Sequence, residues 1–125
     1  MATDISNNVF DPLLVTELTD QTILSIYDKP TLVLFYDSSD YSCSWMCHIL
    51  EQCARLCTYD NNNVSIASID AYNYLDTVIQ FTEMVPTLCL FLGRVPIIYT
   101  GLFQLSNIHL WLKAHTYTNC CPVTY

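Results

Sequence analysis

The run Thr31–Tyr36 (TLVLFY) constrains what this chain can fold into more than any other stretch. It is an unbroken series of β-branched, aliphatic and aromatic residues with no polar alternation. That is the pattern of a central strand covered on both faces. Such a strand needs layers on either side, and the rest of the chain must supply them. Asp37-Ser38-Ser39-Asp40 follows as a polar loop with capping side chains. From there Trp45, Met46, Ile49, Leu50, Cys53, Leu56 and Cys57 recur at helical spacing up to Thr58.

The flanking segments continue the alternation. Thr19-Asp20-Gln21 offers capping oxygens to a short amphipathic helix through Ile23, Leu24 and Tyr27, closed by Lys29-Pro30. Asp60-Asn61-Asn62-Asn63 is a loop, Val64–Ile69 alternates as a strand closed by Asp70, and Tyr74–Phe81 reads as a helix. Thr87–Leu92 and Val95–Thr100 are strands joined by a turn at Gly93-Arg94, and Ser106 caps a last helix through Ile108, Leu110, Trp111 and Leu112. Residues 1–14 form a lead-in, irregular or partly strand-like, with Val9, Phe10, Leu13 and Leu14 available for docking. If the lead-in supplies the first strand, the order is β, α, β, α, β, α, β, β, α. This demands an α/β fold with a mixed four- to five-stranded sheet flanked by helices on both faces. At 125 residues the chain holds one domain with a real core, which we place at 15–115, ahead of a tail at 116–125.

Charge and sulfur narrow the functional classes. Four Lys or Arg stand against twelve Asp or Glu, a net charge of −8 that repels phosphate backbones and acidic headgroups. Neither a nucleic acid nor a membrane surface is the expected partner. Met84–Phe103 approaches the length of a membrane span, but Pro86, Arg94, Pro96 and Gly101 break it into two strand-sized pieces. We read it as a buried hairpin. The first eight residues show no basic region and no apolar core of a secretory signal, so a cytoplasmic protein is expected. Seven cysteines is an odd count, and five fall in runs that read as helix or strand. They read as buried free thiols in a reducing compartment, not as a disulfide scaffold. No CxxC pair is present to anchor zinc, and no metal or cofactor is expected.

Particular residues carry a family resemblance beyond this pattern. Leu32-Val33-Leu34-Phe35-Tyr36, with Cys43 eight residues after Phe35 at the start of a helix, resembles the active-site strand and loop of thioredoxin and the protein disulfide isomerase catalytic domain. Val85-Pro86-Thr87 is similar to the cis-proline segment of that superfamily. Gly93 and Gly101 fall where the family turns its hairpin and enters its last helix. Val15–Asp20 resembles the beginning of an isomerase catalytic domain, and Ile69-Asp70-Ala71 its third strand. The resemblance spans roughly residues 15 to 115 and implies the thioredoxin fold.

It also exposes two departures. In the family, a nucleophilic cysteine and a resolving cysteine, separated by two residues, flank the helix mouth. Counted from Phe35, this chain reads Asp40-Tyr41-Ser42-Cys43, so Asp40 takes the nucleophile's place and Cys43 the resolving position. A carboxylate cannot form a mixed disulfide. The buried acid that the family places immediately before the phenylalanine is here Leu34. Without that base, Cys43 is expected to be an ordinary or raised-pKa thiol. Asp40 itself suits capping of the helix. The expected function is therefore a redox-inactive, thioredoxin-like module that binds protein or extended peptide. Its groove would be lined by Asp40, Tyr41, Ser42, Met84, Val85 and Pro86, with strand addition beside the cis-proline. The alternative is a weak or atypical thiol–disulfide oxidoreductase using Cys43 alone or with Cys47, and holdase-like activity is a third reading. Cys120-Cys121 reads as tail, and His109 and His115 as complements to a helix C-terminus, with no named partner.

Overall fold

A computed structural model describes residues 14–120. The elements are β1 (Thr16–Glu17), a 3₁₀ helix (Ile23–Tyr27), β2 (Thr31–Tyr36), α1 (Cys43–Tyr59), β3 (Ser65–Asp70), α2 (Leu75–Val78), β4 (Thr87–Leu92), β5 (Val95–Ile98) and α3 (Leu105–Cys120). The strands form one mixed sheet in the order β1-β3-β2-β4-β5. β3 runs parallel to β1 and β2, while β4 is antiparallel to β2 and β5 to β4. The α/β sheet expected from the strand–helix alternation is the sheet observed.

The strand Thr31–Tyr36 lies at its centre, between β3 and β4. Its residues alternate between two cores, because successive side chains leave opposite faces of the pleat. Leu32 and Leu34 join Leu50, Cys53, Cys57 and Leu112 under α1 and α3. Val33 and Phe35 join Ile23, Ile26, Ile69 and Phe91 on the other face, where Phe35 stacks on Phe81 at 6.0 Å between ring centroids. Both faces are thus dry between Leu32 and Phe35, which is why those four positions carry no polar side chain.

Several local expectations shift. Among the described residues the first strand is Thr16–Glu17, just past the lead-in. Val9, Phe10 and Leu13 lie outside the described residues, as does Cys121. Leu14 packs against the core beneath α1. The helix near residue 23 is 3₁₀, whose period of three buries Ile23 and Ile26 and leaves Leu24 65% exposed. The helix expected over Tyr74–Phe81 is regular only over Leu75–Val78. Ser106 stands inside α3, one residue after its start, and the helix continues to Cys120. Met84–Phe103 contains the β4–β5 hairpin, but only β4 is buried, because β5 lies at an edge of the sheet; no helix among the described residues is long and apolar enough to cross a membrane. Gly93 turns that hairpin at φ +64°, a conformation glycine adopts without strain. At Gly101 a Cβ would stand 2.8 Å from the Tyr99 hydroxyl, so the ring's position requires glycine.

Candidate functional site

Tyr36 pairs with Asp70 and Phe35 with Thr87, so the loops after β2, after β3 and before β4 leave the sheet at the same end. The loop after β2 is built from two successive Asp-x-Ser turns. Asp37 Oδ1 accepts the N–H and hydroxyl of Ser39 at 2.9 and 2.6 Å. Asp40 Oδ1 accepts the same two groups of Ser42 at 3.0 and 2.8 Å. Each carboxylate holds the residue two ahead, the local geometry that Asp favours in turns. The bonds from Ser39 hold the Asp37 carboxyl below the usual range. The N-cap of α1 is Ser42, whose side chain makes no capping bond. Asp40 therefore stabilises the turn that delivers the chain to α1 and does not cap the amides inside the helix, which corrects that expectation.

Asp70 anchors this loop from below. It is buried, and its Oδ1 accepts the N–H groups of Ser38 and Tyr72, each at 2.9 Å. Its Oδ2 accepts a bond from the Asn73 amide at 3.3 Å.

Asp40, Tyr41, Cys43 and Cys47 line one cavity of about 270 Å³, with Tyr36 and Ser44. Cys43, the first residue of α1, is only 1% exposed, and Leu34 is fully buried. Cys47, one turn on, is half-buried. Burial, aided by Cys43, Glu17, Glu51 and Asp70, pushes its thiol up to about 11. Both Cys43 and Cys47 are free. Below Cys47 a second cavity of about 170 Å³ is lined by Val15, Glu17, Tyr36 and Ser68, among others. There Tyr36 Oη donates to Glu17 Oε2 at 2.8 Å and Ser68 Oγ donates to the same oxygen at 3.3 Å. Burial and the bond to Glu17 push the Tyr36 phenol well above its usual range. This acid was not singled out from the sequence, since Glu17 lies on β1 and meets Tyr36 only through the sheet.

The Val85–Pro86 peptide bond is cis. Thr87 Oγ1 donates to the Met84 carbonyl at 2.6 Å, and Met84 N–H donates to Thr82 Oγ1 at 3.2 Å, so threonines on either side brace the segment. Val85 packs against the core beside Phe35, while Met84 is 73% exposed. Met84 lines a further cavity, of about 480 Å³, with Ile79, Phe81, Glu83, Thr87 and Ile98. This cavity shares no lining residue with the one holding Asp40, Tyr41, Cys43 and Cys47. Val85 and Pro86 line neither. The six residues expected to share a groove thus stand at one end of the sheet without sharing one: Asp40 and Tyr41 line one hollow, Met84 another, and Ser42, like Val85 and Pro86, lines neither.

Elsewhere, His109 Nε2 lies 2.8 Å from Asp60 Oδ2, and Lys113 Nζ is 4.0 Å from the same oxygen. His109 therefore has the acidic partner that the sequence left unnamed, at the end of α1. His115 Nδ1 lies 2.9 Å from the Trp111 carbonyl. A hydrogen bond to Cys57, with burial, pushes the Cys53 thiol well above its usual range. Among the described residues no group of three or more His, Cys, Asp or Glu side chains is placed to hold a metal ion.

No protein-family model matches the chain, and no curated protein matches it in sequence. Solved structures do match. The J-Trx1 fragment of ERdj5 superposes with a TM-score of 0.74 at 13% identity, over 85% of this chain and 53% of that one. The zinc-bound form of human ERp44 also gives 0.74, at 20% identity, over 82% of this chain and 32% of that one. The first thioredoxin domain of mouse protein disulfide-isomerase A4 gives 0.74 at 19% identity, over 90% and 84%. The chain spans about half of the ERdj5 fragment and about a third of ERp44. Its fold is the thioredoxin fold.

Proposed function

We propose that this chain is a redox-inactive, thioredoxin-like module that binds protein or extended peptide. The binding surface would lie between the helix-mouth loop, Asp40, Tyr41 and Ser42, and the cis-proline segment, Met84, Val85 and Pro86. One observation carries this reading: the sulfur atoms available at the helix mouth are poor nucleophiles. Asp40 stands ahead of α1 with its carboxylate engaged by Ser42. Cys43 is buried, and the Cys47 thiol is pushed up to about 11. A thiol with so high a pKa is protonated at neutral pH, whereas disulfide exchange requires the thiolate. Leu34 supplies no base.

What remains exposed at this end suits contact. Tyr41 is 92% exposed and Met84 73%, side chains that offer large apolar area on both sides of the helix mouth. The free thiols Cys43, Cys47, Cys53, Cys57 and Cys89 suit a reducing compartment such as the cytoplasm.

Two assays on the same protein test the proposal. In dithiothreitol-driven insulin reduction, the chain should leave the rate of turbidity unchanged. Labelled insulin B chain with its cysteines carbamidomethylated, an extended polypeptide without added charge, should bind, and Tyr41→Ala or Met84→Arg should weaken it roughly tenfold. Insulin reduction that disappears in Cys43→Ser or Cys47→Ser would favour the oxidoreductase alternative.

A further inference from the structure

Formal charge in this fold is segregated along the strand direction. Asp20, Asp37, Asp40, Asp70, Asp76 and Glu83 all belong to the end of the sheet where β2 and β3 finish and β4 begins. Asp20 and Asp76 line one cavity there with Tyr72, and Asp70 ties the Asp40 loop to Tyr72 through backbone N–H groups. The four cations lie elsewhere. Lys29 precedes β2, Arg94 turns the hairpin at the far end with its guanidinium 4.4 Å from the Tyr27 ring centroid, Lys113 meets Asp60 beyond α1, and Arg55 lies in the second half of α1. No Lys or Arg among the described residues stands at the helix-mouth end. Clustered carboxylates without counter-charge raise the local concentration of a cationic ligand and repel an acidic one.

The same end carries an apolar hollow. The cavity of about 480 Å³ lies between the end of α2 and the start of β4, with Ile98 of β5 on its wall. Ile79, Met84 and Ile98 are each more than half exposed, and Glu83 sits among them. β5 is an edge strand. The Tyr99 N–H donates to the Leu88 carbonyl, so by antiparallel alternation Ile97 and Val95 also face β4, and Pro96 and Ile98 face outward. Pro96 has no N–H to offer and blunts this edge against continuous strand addition. Recognition at this hollow must therefore come from side chains. A second copy of the chain is a poor occupant, since it brings the same carboxylates and a net charge of −8.

Resting on the binding reading above, we infer that the partner segment is a cationic extended peptide. Its apolar side chain enters the hollow between α2 and β5, and its Lys or Arg side chains face Glu83, Asp76 and Asp40. The exposed rings of Tyr41 and Tyr72, at the same end, offer π-faces to those cations.

The test uses the full chain and three fluorescein-labelled synthetic peptides that share apolar residues and alternate them with Lys, Ser or Glu. At about 20 mM salt the Lys peptide should bind roughly tenfold tighter than the Ser peptide, and the advantage should vanish at about 500 mM. The Glu peptide should not bind. Glu83→Gln should weaken the Lys peptide about fivefold and leave the Ser peptide unchanged. Ile98→Gln should weaken both, and Asp28→Asn, at the opposite end, should change neither. Equal binding of the Lys and Ser peptides overturns the charge inference and leaves the binding reading standing. The same holds if Asp28→Asn acts as strongly as Glu83→Gln, because net charge alone would then explain the preference. Failure of all three peptides to bind overturns both.

Discussion

The carboxylate of Asp70 accepts the backbone N–H of Ser38 at 2.9 Å, which ties the last residue of β3 to the loop that leads into α1. The same oxygen holds the Tyr72 N–H, so one buried side chain sets the relative position of two loops at the helix mouth. Asp70→Ala removes the acceptor and leaves these N–H groups without their partner. We expect a loss of about 1–3 kcal/mol in urea-induced unfolding. Asp70→Asn keeps one carbonyl oxygen and should cost less than half as much. Equal losses in the two variants would mean that the bond is not what Asp70 contributes.

The raised pKa of Cys47 fixes the sign of a pH effect. In the folded chain burial disfavours the charged sulfur and pushes this thiol and that of Cys89 up to about 11. Below about pH 7, well under the ordinary thiol pKa of about 8.5, both stay protonated whether the chain is folded or not, and stability does not depend on them. Above the unfolded value the unfolded chain releases protons that the folded chain keeps, so stability falls as pH rises toward about 11. Cys47 should also react with iodoacetamide at neutral pH roughly a hundredfold more slowly than a free cysteine. Rapid alkylation at neutral pH, located by mass spectrometry at Cys47, would show a thiolate there.

Asp40 is the position where one atom type decides the chemistry. Asp40→Cys places a thiol at the helix mouth, three residues ahead of Cys43. We expect it to accelerate insulin reduction about tenfold over the uncatalysed rate, whereas the wild type does nothing. The gain should stay modest because Leu34 offers no proton acceptor. An inert Asp40→Cys that folds normally would mean that Asp40 does not stand where a nucleophile would act.

His109 and Asp60 join α3 to the end of α1 at 2.8 Å, with Lys113 beside them. Both side chains are partly buried, so the contact should exceed an exposed ion pair. We expect His109→Ala to cost about 1 kcal/mol in urea unfolding and a double-mutant cycle with Asp60→Asn to give a coupling of about 0.5–1.5 kcal/mol. A coupling near zero would reduce the pair to coincidental proximity.

The periodicity of the chain determined its elements and layers, because burial of a strand or helix face acts on residues close in sequence. Thr31–Tyr36 had to lie at the centre of a sheet, since no other position covers both of its faces. Gly93 and Pro86 marked the hairpin turn and the segment before β4 for equally local reasons. Two elements were misread where length and period compete. A five-residue stretch such as Ile23–Tyr27 does not repeat often enough to separate period three from 3.6, and β1 is too short to show any alternation.

The candidate site was visible in part. The absence of a thiol at residue 40 is a matter of sequence alone, and so is the identity of Leu34. What surrounds them was decided by tertiary structure. Glu17 reaches Tyr36 and Ser68 because parallel strands bring distant residues side by side, and Asp70 reaches Ser38 across an interval of 32 residues. The separation of Met84 from the Asp40 cavity has the same origin. Charge followed this division: composition set the net value of −8, and only the direction of each strand in the sheet sent six of the twelve carboxylates to one end and the cations away from it. Local pattern governs which residues are buried; the order and direction of strands governs which of them meet.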